Sequence, residues 1–233
     1  MGYYRAGFDV VGVDKEPQPR YPFRFVQADA LAYLRDNSGM YDAVHSSPPC
    51  QAYSIGGMMQ PQNRGSHPQL IEPTRALLQA SGKPYIIENV VGSPLNAPIT
   101  LCGTMFGLKL FRHRLFDSNC FLMQPPHEKH VGRIGFDGFC CVAGTGDSNF
   151  KLGGHVRANH RTKAAWELSM GIDWMQKPEL AQAIPPAYTE FLGRQLWQLI
   201  GRQLLLNIGH AINADPPLLR PVETPGFRAG GIL

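Results

Sequence analysis

The chain has 233 residues, 43% apolar and 17% charged, with 25 Gly, 20 Pro and a net charge of +4. That length supports one main core with at most a small inserted lobe, and the composition excludes disorder throughout while demanding many loops. No apolar run approaches the ~20 residues a membrane helix needs, the start carries neither a signal-peptide nor a myristoylation pattern, and a cytoplasmic protein with no membrane partner is expected.

Taken in chain order, Asp9-Val10-Val11-Gly12-Val13-Asp14 is an apolar run bounded by acids, which predicts a short buried parallel strand ending at Asp14. Arg24 to Gln27 predicts a second strand, ending near Asp29. Ala30 to Asp36 predicts a helix stopped by Asn37-Ser38-Gly39, and Tyr41 to Val44 a third strand. His67 to Ser81 carries apolar residues at helical spacing, interrupted by Pro73 and closed by Gly82 before a strand at Pro84 to Ile87. Strand and helix signals alternate, so an α/β fold with a Rossmann-like, doubly wound and mostly parallel sheet is expected.

After Gly92 the texture changes to short strand-like pieces at 111–116 and 139–142, separated by Gly, Pro, His and Asn. A catalytic core over 1–116 would then be followed by a small irregular β-rich lobe at 117–160, by helices over 161–210 that complete the core, and by a loosely packed Pro/Gly-rich tail at 211–233. Between Lys109 and Lys163 nine Lys/Arg face four Asp/Glu, and five of the eight histidines fall there. A local basic excess of this kind suits a polyanion such as nucleic acid, although a solvated loop surface has the same signature. Five cysteines without Cys-x-x-Cys spacing argue against a disulfide framework and against a zinc knuckle. His127 and His130 could form a metal pair, but without a Cys-x-x-Cys to complete such a site they are expected to be solvated loop histidines, Cys140-Cys141 to pack, and no metal to be bound.

The chemistry gathers at residues 46–54, Ser-Ser-Pro-Pro-Cys-Gln-Ala-Tyr-Ser, and at Ile87-Glu88-Asn89-Val90. Each segment follows a predicted strand, and ligands of open α/β sheets bind outside the carboxyl ends of the strands, so Cys50 and Glu88 are expected to face one pocket. These segments resemble those of C5-cytosine methyltransferases, and the resemblance implies that a thiolate adds to C6 of cytosine and turns the ring into an enamine whose C5 attacks an electrophilic methyl group. Cys50 would supply the thiolate. A carboxyl group at N3 stabilises the charge that addition puts on the ring, best as the protonated acid, and Glu88 fits if desolvation raises its pKa.

These segments resemble the C5-cytosine DNA methyltransferase family, particularly its small bacteriophage-type members. The match is ordered: Gly12-Val13-Asp14, Gln27-Ala28-Asp29, Pro49-Cys50-Gln51, Glu88-Asn89-Val90, Arg112-His113-Arg114 and Ala183-Ile184-Pro185-Pro186 follow one another over residues 6–196. The resemblance implies S-adenosylmethionine as methyl donor, with Asp14, Asp29 and Pro48 as cofactor-binding residues, although both acids also suit helix N-caps. It implies catalysis by Cys50, Glu88, Arg114 and Arg112, with the arginines on the base carbonyl or a flanking phosphate. Pro49, Gln51, Asn89 and Val90 would shape the substrate pocket. Lys129, Arg133, Lys151 and Arg157 would contact double-stranded DNA whose target base is flipped out, by a monomeric enzyme of restriction-modification type.

Two departures accompany the match. Family members begin with a strand and a Phe-x-Gly-x-Gly loop that wraps the donor, whereas Met1-Gly2-Tyr3-Tyr4 corresponds to the helix after that loop. The sheet is therefore expected to have an unpaired central position and an open donor pocket, from an upstream start or a damaged gene. Ala181-Gln182 stands where the family has Gly-Asn. A catalytically impaired DNA-binding remnant and a methyltransferase of RNA or another pyrimidine remain alternatives.

Overall fold

The computed structural model describes residues 1–53, 68–132, 134, 137–143, 161–214 and 228–232. Arg133, Lys151 and Arg157, named above as nucleic-acid contacts, lie outside the described residues. The elements in chain order are α1 (Gly2–Arg5), β1 (Asp9–Asp14), β2 (Arg24–Gln27), α2 (Ala30–Asn37), β3 (Ala43–Ser46), α3 (Ile71–Ser81), β4 (Tyr85–Asn89), β5 (Ile99–Leu101), β6 (Arg114–Ser118), α4 (Lys163–Met170), α5 (Lys177–Gln182), α6 (Pro186–Ala214) and β7 (Arg228–Ile232). The architecture is mixed α/β.

The strands form one sheet in the order β2-β1-β7-β3-β4-β6-β5. β1, β2, β3, β4 and β7 run parallel, β6 is antiparallel to β4, and β5 is antiparallel to β6. The apolar runs of β1 and β4 alternate between two clusters. Val10 and Ile86 pack with Tyr3, Phe8, Phe116, Tyr188 and Leu192, while Val11, Val13 and Ile87 pack with Leu34, Tyr41 and Leu78. A strand covered on both faces has no polar side to write into its sequence, which is why these runs read as continuous rather than alternating.

Local signals set the helix ends. The Asp29 carboxylate caps α2 by accepting from the Ala32 amide at 2.9 Å. α3 starts at Ile71 rather than His67, which puts Pro73 in the first turn, where its missing N–H costs nothing. Gly82 ends that helix in the left-handed region at φ 66°. α1 lies so close to the start of α6 that a Cβ on Gly2 would sit 2.1 Å from Thr189 Oγ1.

The structure differs from the expected tail at its last strand. β7 fills the central place in the sheet, its residues 228–232 pairing with Asp9 to Val13 on one side and its residues 229–232 pairing with Ala43 to Ser46 on the other. The expected unpaired central position is thereby occupied. Arg-Ala-Gly-Gly-Ile has weak strand propensity and reads as loop, but two neighbouring strands with unpaired N–H and C=O groups supply the ladder that propensity does not.

The segment after β6 is tied into the core. The predicted strand at 139–142 reduces to isolated bridges, Leu110 with Cys140 and Ile134 with Phe139. Cys140 and Val142 are buried in a third cluster with Leu110, Trp166, Met170 and Leu180, so α4 and α5 pack against the root of the lobe. Cys140 packs, as expected, and Cys141 is exposed.

Arg75 of α3 and Asp117 of β6 form a buried ion pair, and the Asp117 carboxylate also accepts from the Asn96 amide at 2.9 Å. Asp117→Ala would strand the guanidinium away from water. The expected loss is about 3–5 kcal/mol of unfolding free energy, read from the shift of the urea midpoint; a shift indistinguishable from zero would show that the pair is solvated.

Candidate active site at the carboxyl ends of β3 and β4

The parallel register places Ser46, the last residue of β3, opposite Ile87 of β4, so the chain leaves both strands at the same sheet edge. The loop Ser47-Pro48-Pro49-Cys50 departs one residue from where Glu88 stands. Asn89, fully buried, fastens the two segments: its Nδ2 donates to the Pro48 carbonyl at 2.9 Å, and its Oδ1 accepts from the Val90 amide at 3.0 Å. Pro48 is buried, Pro49 and Gln51 are exposed, and Cys50 is half-buried. The turn after the cysteine is closed by the Tyr53 amide donating to the Cys50 carbonyl at 2.9 Å. Asn89 thus acts on the loop that carries Cys50 rather than on open solvent.

Glu88 is buried at the end of β4, with Arg114 Nε donating to its Oε1 at 2.9 Å. Burial raises its pKa above the ordinary carboxylate value, opposed by the charge of Arg114, a hydrogen bond from Ser47 and the charge of Arg112. Behind Ser47 runs a chain of polar groups that sequence reading missed. The Tyr3 hydroxyl meets His45 Nδ1 at 2.7 Å, and His45 Nε2 meets the Ser47 hydroxyl at 3.1 Å. Burial lowers the His45 pKa to about 4, so the ring stays neutral, with one nitrogen donating and the other accepting. Tyr3 sits on α1 and Glu88 on β4, and no local spacing in the sequence connects them.

The two arginines separate. Arg114 projects to Glu88 and to the His113 carbonyl, to which its Nη1 donates at 2.9 Å. Arg112 is buried and directs its Nη1 and Nη2 to the backbone carbonyls of Val142 and Ala181, at 2.5 and 2.6 Å, while the Tyr188 hydroxyl donates to the Arg112 carbonyl at 2.6 Å. The guanidinium joins the lobe root to the segment before α6. Burial, with Arg114 adding to it, lowers its pKa to about 9, against the opposing charges of Glu88, Tyr188 and Cys50. Its Nε, buried, has no partner among the described residues. A cleft of ≈ 390 Å³ opens beside this group, walled by Val90, Arg112, His113, Arg114 and Val142 among others; neither Cys50 nor Glu88 lines it.

Asp14 and Asp29 come together at the ends of neighbouring strands, with the Ala28 amide donating to the Asp14 carbonyl at 3.0 Å. The Asp14 carboxylate accepts from the Glu16 amide at 2.9 Å and from Gln18 Nε2 at 3.2 Å. With Asp29 capping α2, each acid has a local structural task, and each carboxylate retains acceptor capacity beyond it, since two oxygens offer about four lone pairs. Lys129 is exposed on the 121–132 segment.

His127 and His130 are not isolated solvated side chains. Their rings lie 4.9 Å apart and both contact His113, at centroid distances of 5.1 and 4.9 Å. Buried Cys102 completes the group, its Sγ 3.3 Å from His130 Nε2. The sequence shows only the His127/His130 pair of this set, because Cys102 and His113 are 25 and 14 residues from His127. Among the described residues no helix is long and apolar enough to cross a membrane. Comparison with known proteins finds no family model that matches the chain and no matching curated protein.

Proposed function

We propose that the protein transfers a methyl group to C5 of a flipped cytosine in DNA through a covalent Cys50 adduct. The observation that carries the reading is the fastening of the Cys50 loop to β4 by Asn89, beside a buried carboxyl group that burial biases towards its protonated form. The strand order supports a doubly wound sheet. With β7 taken as the first strand, the parallel part runs in the order 3-2-1-4-5, and ligands of such sheets bind where the order reverses, at the ends of β7 and β3. The rival reading as an impaired remnant draws on the missing donor loop; β7 occupies the sheet centre, and donor binding measured by calorimetry separates the two readings.

In this mechanism the Cys50 thiolate attacks C6, and the C5–C6 electron pair moves towards C5 as Glu88 hydrogen-bonds N3. Arg114 holds the Glu88 carboxyl in place. Asp14 and Asp29, at the ends of β1 and β2, with Pro48 alongside, would hold S-adenosylmethionine, which would supply the methyl group. Loss of the C5 proton to a base then expels the Cys50 thiolate and restores the ring. Substitution of fluorine at C5 removes that proton and traps the adduct. The test is to incubate the protein with donor and duplex DNA bearing 5-fluorocytosine. A covalent protein–DNA species resistant to denaturant is expected; its absence from DNA and presence on 5-fluorocytosine RNA would move the substrate to RNA, and absence from both would overturn the proposal.

Glu88→Gln tests the acid. The amide keeps the shape but cannot give up a proton, and adduct formation is expected to slow by roughly 10²–10⁴-fold with DNA binding retained. The pKa of Glu88 is raised, so the protonated carboxyl is lost as pH climbs through it. The rate should therefore fall on the alkaline side in the parent protein, and the glutamine variant should lack that limb. Stability has the same sign: the contribution of the neutral buried carboxyl is full below the unfolded-chain value and disappears as pH rises through the folded one.

A further inference from the structure

The most developed unassigned group is the cluster at the root of the lobe. Cys102 follows β5 and is fully buried, His113 precedes β6, and His127 and His130 arrive from the segment beyond Pro125-Pro126. One ligand atom from each, four in all, lie within 4.8 Å of one another.

The hydrogen bonding within this group does not close by itself. His130 Nε2 is 2.9 Å from His127 Nε2 and 3.3 Å from Cys102 Sγ. One imidazole nitrogen carries either one hydrogen or one lone pair, so it completes one of these contacts and leaves the other short of a partner. Three donor atoms directed at one point are instead satisfied together by a cation between them. In a tetrahedral zinc site, Zn–N of about 2.0–2.1 Å and Zn–S of about 2.3 Å set ligand atoms about 3.3–3.6 Å apart, a spacing these side chains reach by small rotations.

We propose that Cys102, His113, His127 and His130 form a closed, four-coordinate site for a structural Zn²⁺ that fastens the 127–130 segment to the β5–β6 core. One thiolate and three imidazoles form a borderline-soft set that favours zinc over magnesium or calcium. The surroundings suit ligation. The Thr104 hydroxyl donates to Cys102 Sγ at 3.4 Å, which stabilises a thiolate, and the Phe111 ring stacks on His130 at 4.3 Å and 13°, which fixes the plane of that ligand. His127 is exposed and gives the ion a path in. Four protein ligands leave no open position, so the ion holds structure and does no chemistry. The proposal is independent of the methyltransfer reading, because its ligands lie outside the Cys50 and Glu88 set.

The test uses the full chain, freed of any histidine tag and dialysed against a mild chelator. Elemental analysis should find about one zinc per chain, falling roughly tenfold or more in His127→Ala and in Cys102→Ala. His127 is exposed, so its variant should keep the apo-protein's circular dichroism and melting temperature while losing the rise that added Zn²⁺ gives the parent. Cobalt(II) in place of zinc should show visible bands of tetrahedral intensity and a near-ultraviolet sulfur-to-cobalt band, the latter missing in Cys102→Ala. Zinc at background level in the parent protein, or full zinc retained in a His127→Ala/His130→Ala double variant, would overturn the site.

Discussion

Cys50→Ser is expected to bind DNA as the parent does, to form no adduct with 5-fluorocytosine, and to lose methyl transfer by roughly 10⁴-fold or more. An alkoxide at neutral pH is far scarcer than a thiolate and a poorer nucleophile towards the C6 position, while the change from sulfur to oxygen barely alters volume. Structural damage should be slight, because Cys50 is half-buried on a loop whose position is set by the buried Asn89 and Pro48 rather than by the thiol. Tritium release from labelled cytosine gives the rate, and denaturing electrophoresis gives the adduct. Transfer that survives in the serine variant would place the nucleophile elsewhere and sink the covalent mechanism. The contrast with Glu88→Gln is informative, since loss of the nucleophile is absolute for the adduct whereas loss of the acid slows it.

The largest effect on stability should come from the last strand. A chain ending at Pro225 lacks β7, which exposes the facing edges of β1 and β3 along the registers from Asp9 to Val13 and from Ala43 to Ser46. A central strand cannot be lost as cheaply as an edge strand, because two ladders break and both neighbours must close over the gap or take up water. The expected cost is on the order of 5 kcal/mol or more, most of the ~5–15 kcal/mol a domain of this kind has in hand. Gly230→Pro offers a milder version: it removes one ladder donor opposite Val11 and Val44 and should cost about 3 kcal/mol or more. Urea unfolding followed by circular dichroism measures both. If the truncated chain kept the parent midpoint, the segment would be a solvated tail and the sheet would have another centre. Since the same strand ends at the edge where Asp14 and Ser46 end, the truncation should also abolish calorimetric binding of S-adenosylmethionine.

The parts of the chain that were legible share a physical cause. β1, α2 and β4 fall within a residue or two of their predicted bounds because each is specified locally, by a doubly buried apolar run or by a cap such as Asp29. The departure of the Cys50 loop and the placing of Glu88 at the same end of β3 and β4 followed from one rule about strand ends, and the register of β3 on β4 agrees with it. What the sequence did not reveal was set by partners distant along the chain. Arg112 reads as a base-contacting cation beside Arg114, yet its two terminal nitrogens go to carbonyls 30 and 69 residues away. The 139–142 piece reads as a strand and becomes a pair of bridges, because Cys140 and Val142 are used as core side chains against Trp166.

The sequence by itself determined the chemistry on offer: a cysteine in a proline loop and an acid after a strand, within an alternating α/β pattern, since side-chain type and short-range periodicity are local properties. Only the tertiary structure decided which groups meet. It drew a glycine-rich segment of poor strand propensity into the sheet centre, connected Tyr3 through His45 and Ser47 to Glu88, and gathered Cys102, His113, His127 and His130 at one point. The reason is common to all three: hydrogen-bond pairing and ligand convergence act across space, and their energy is available only once distant parts of the chain have been packed side by side.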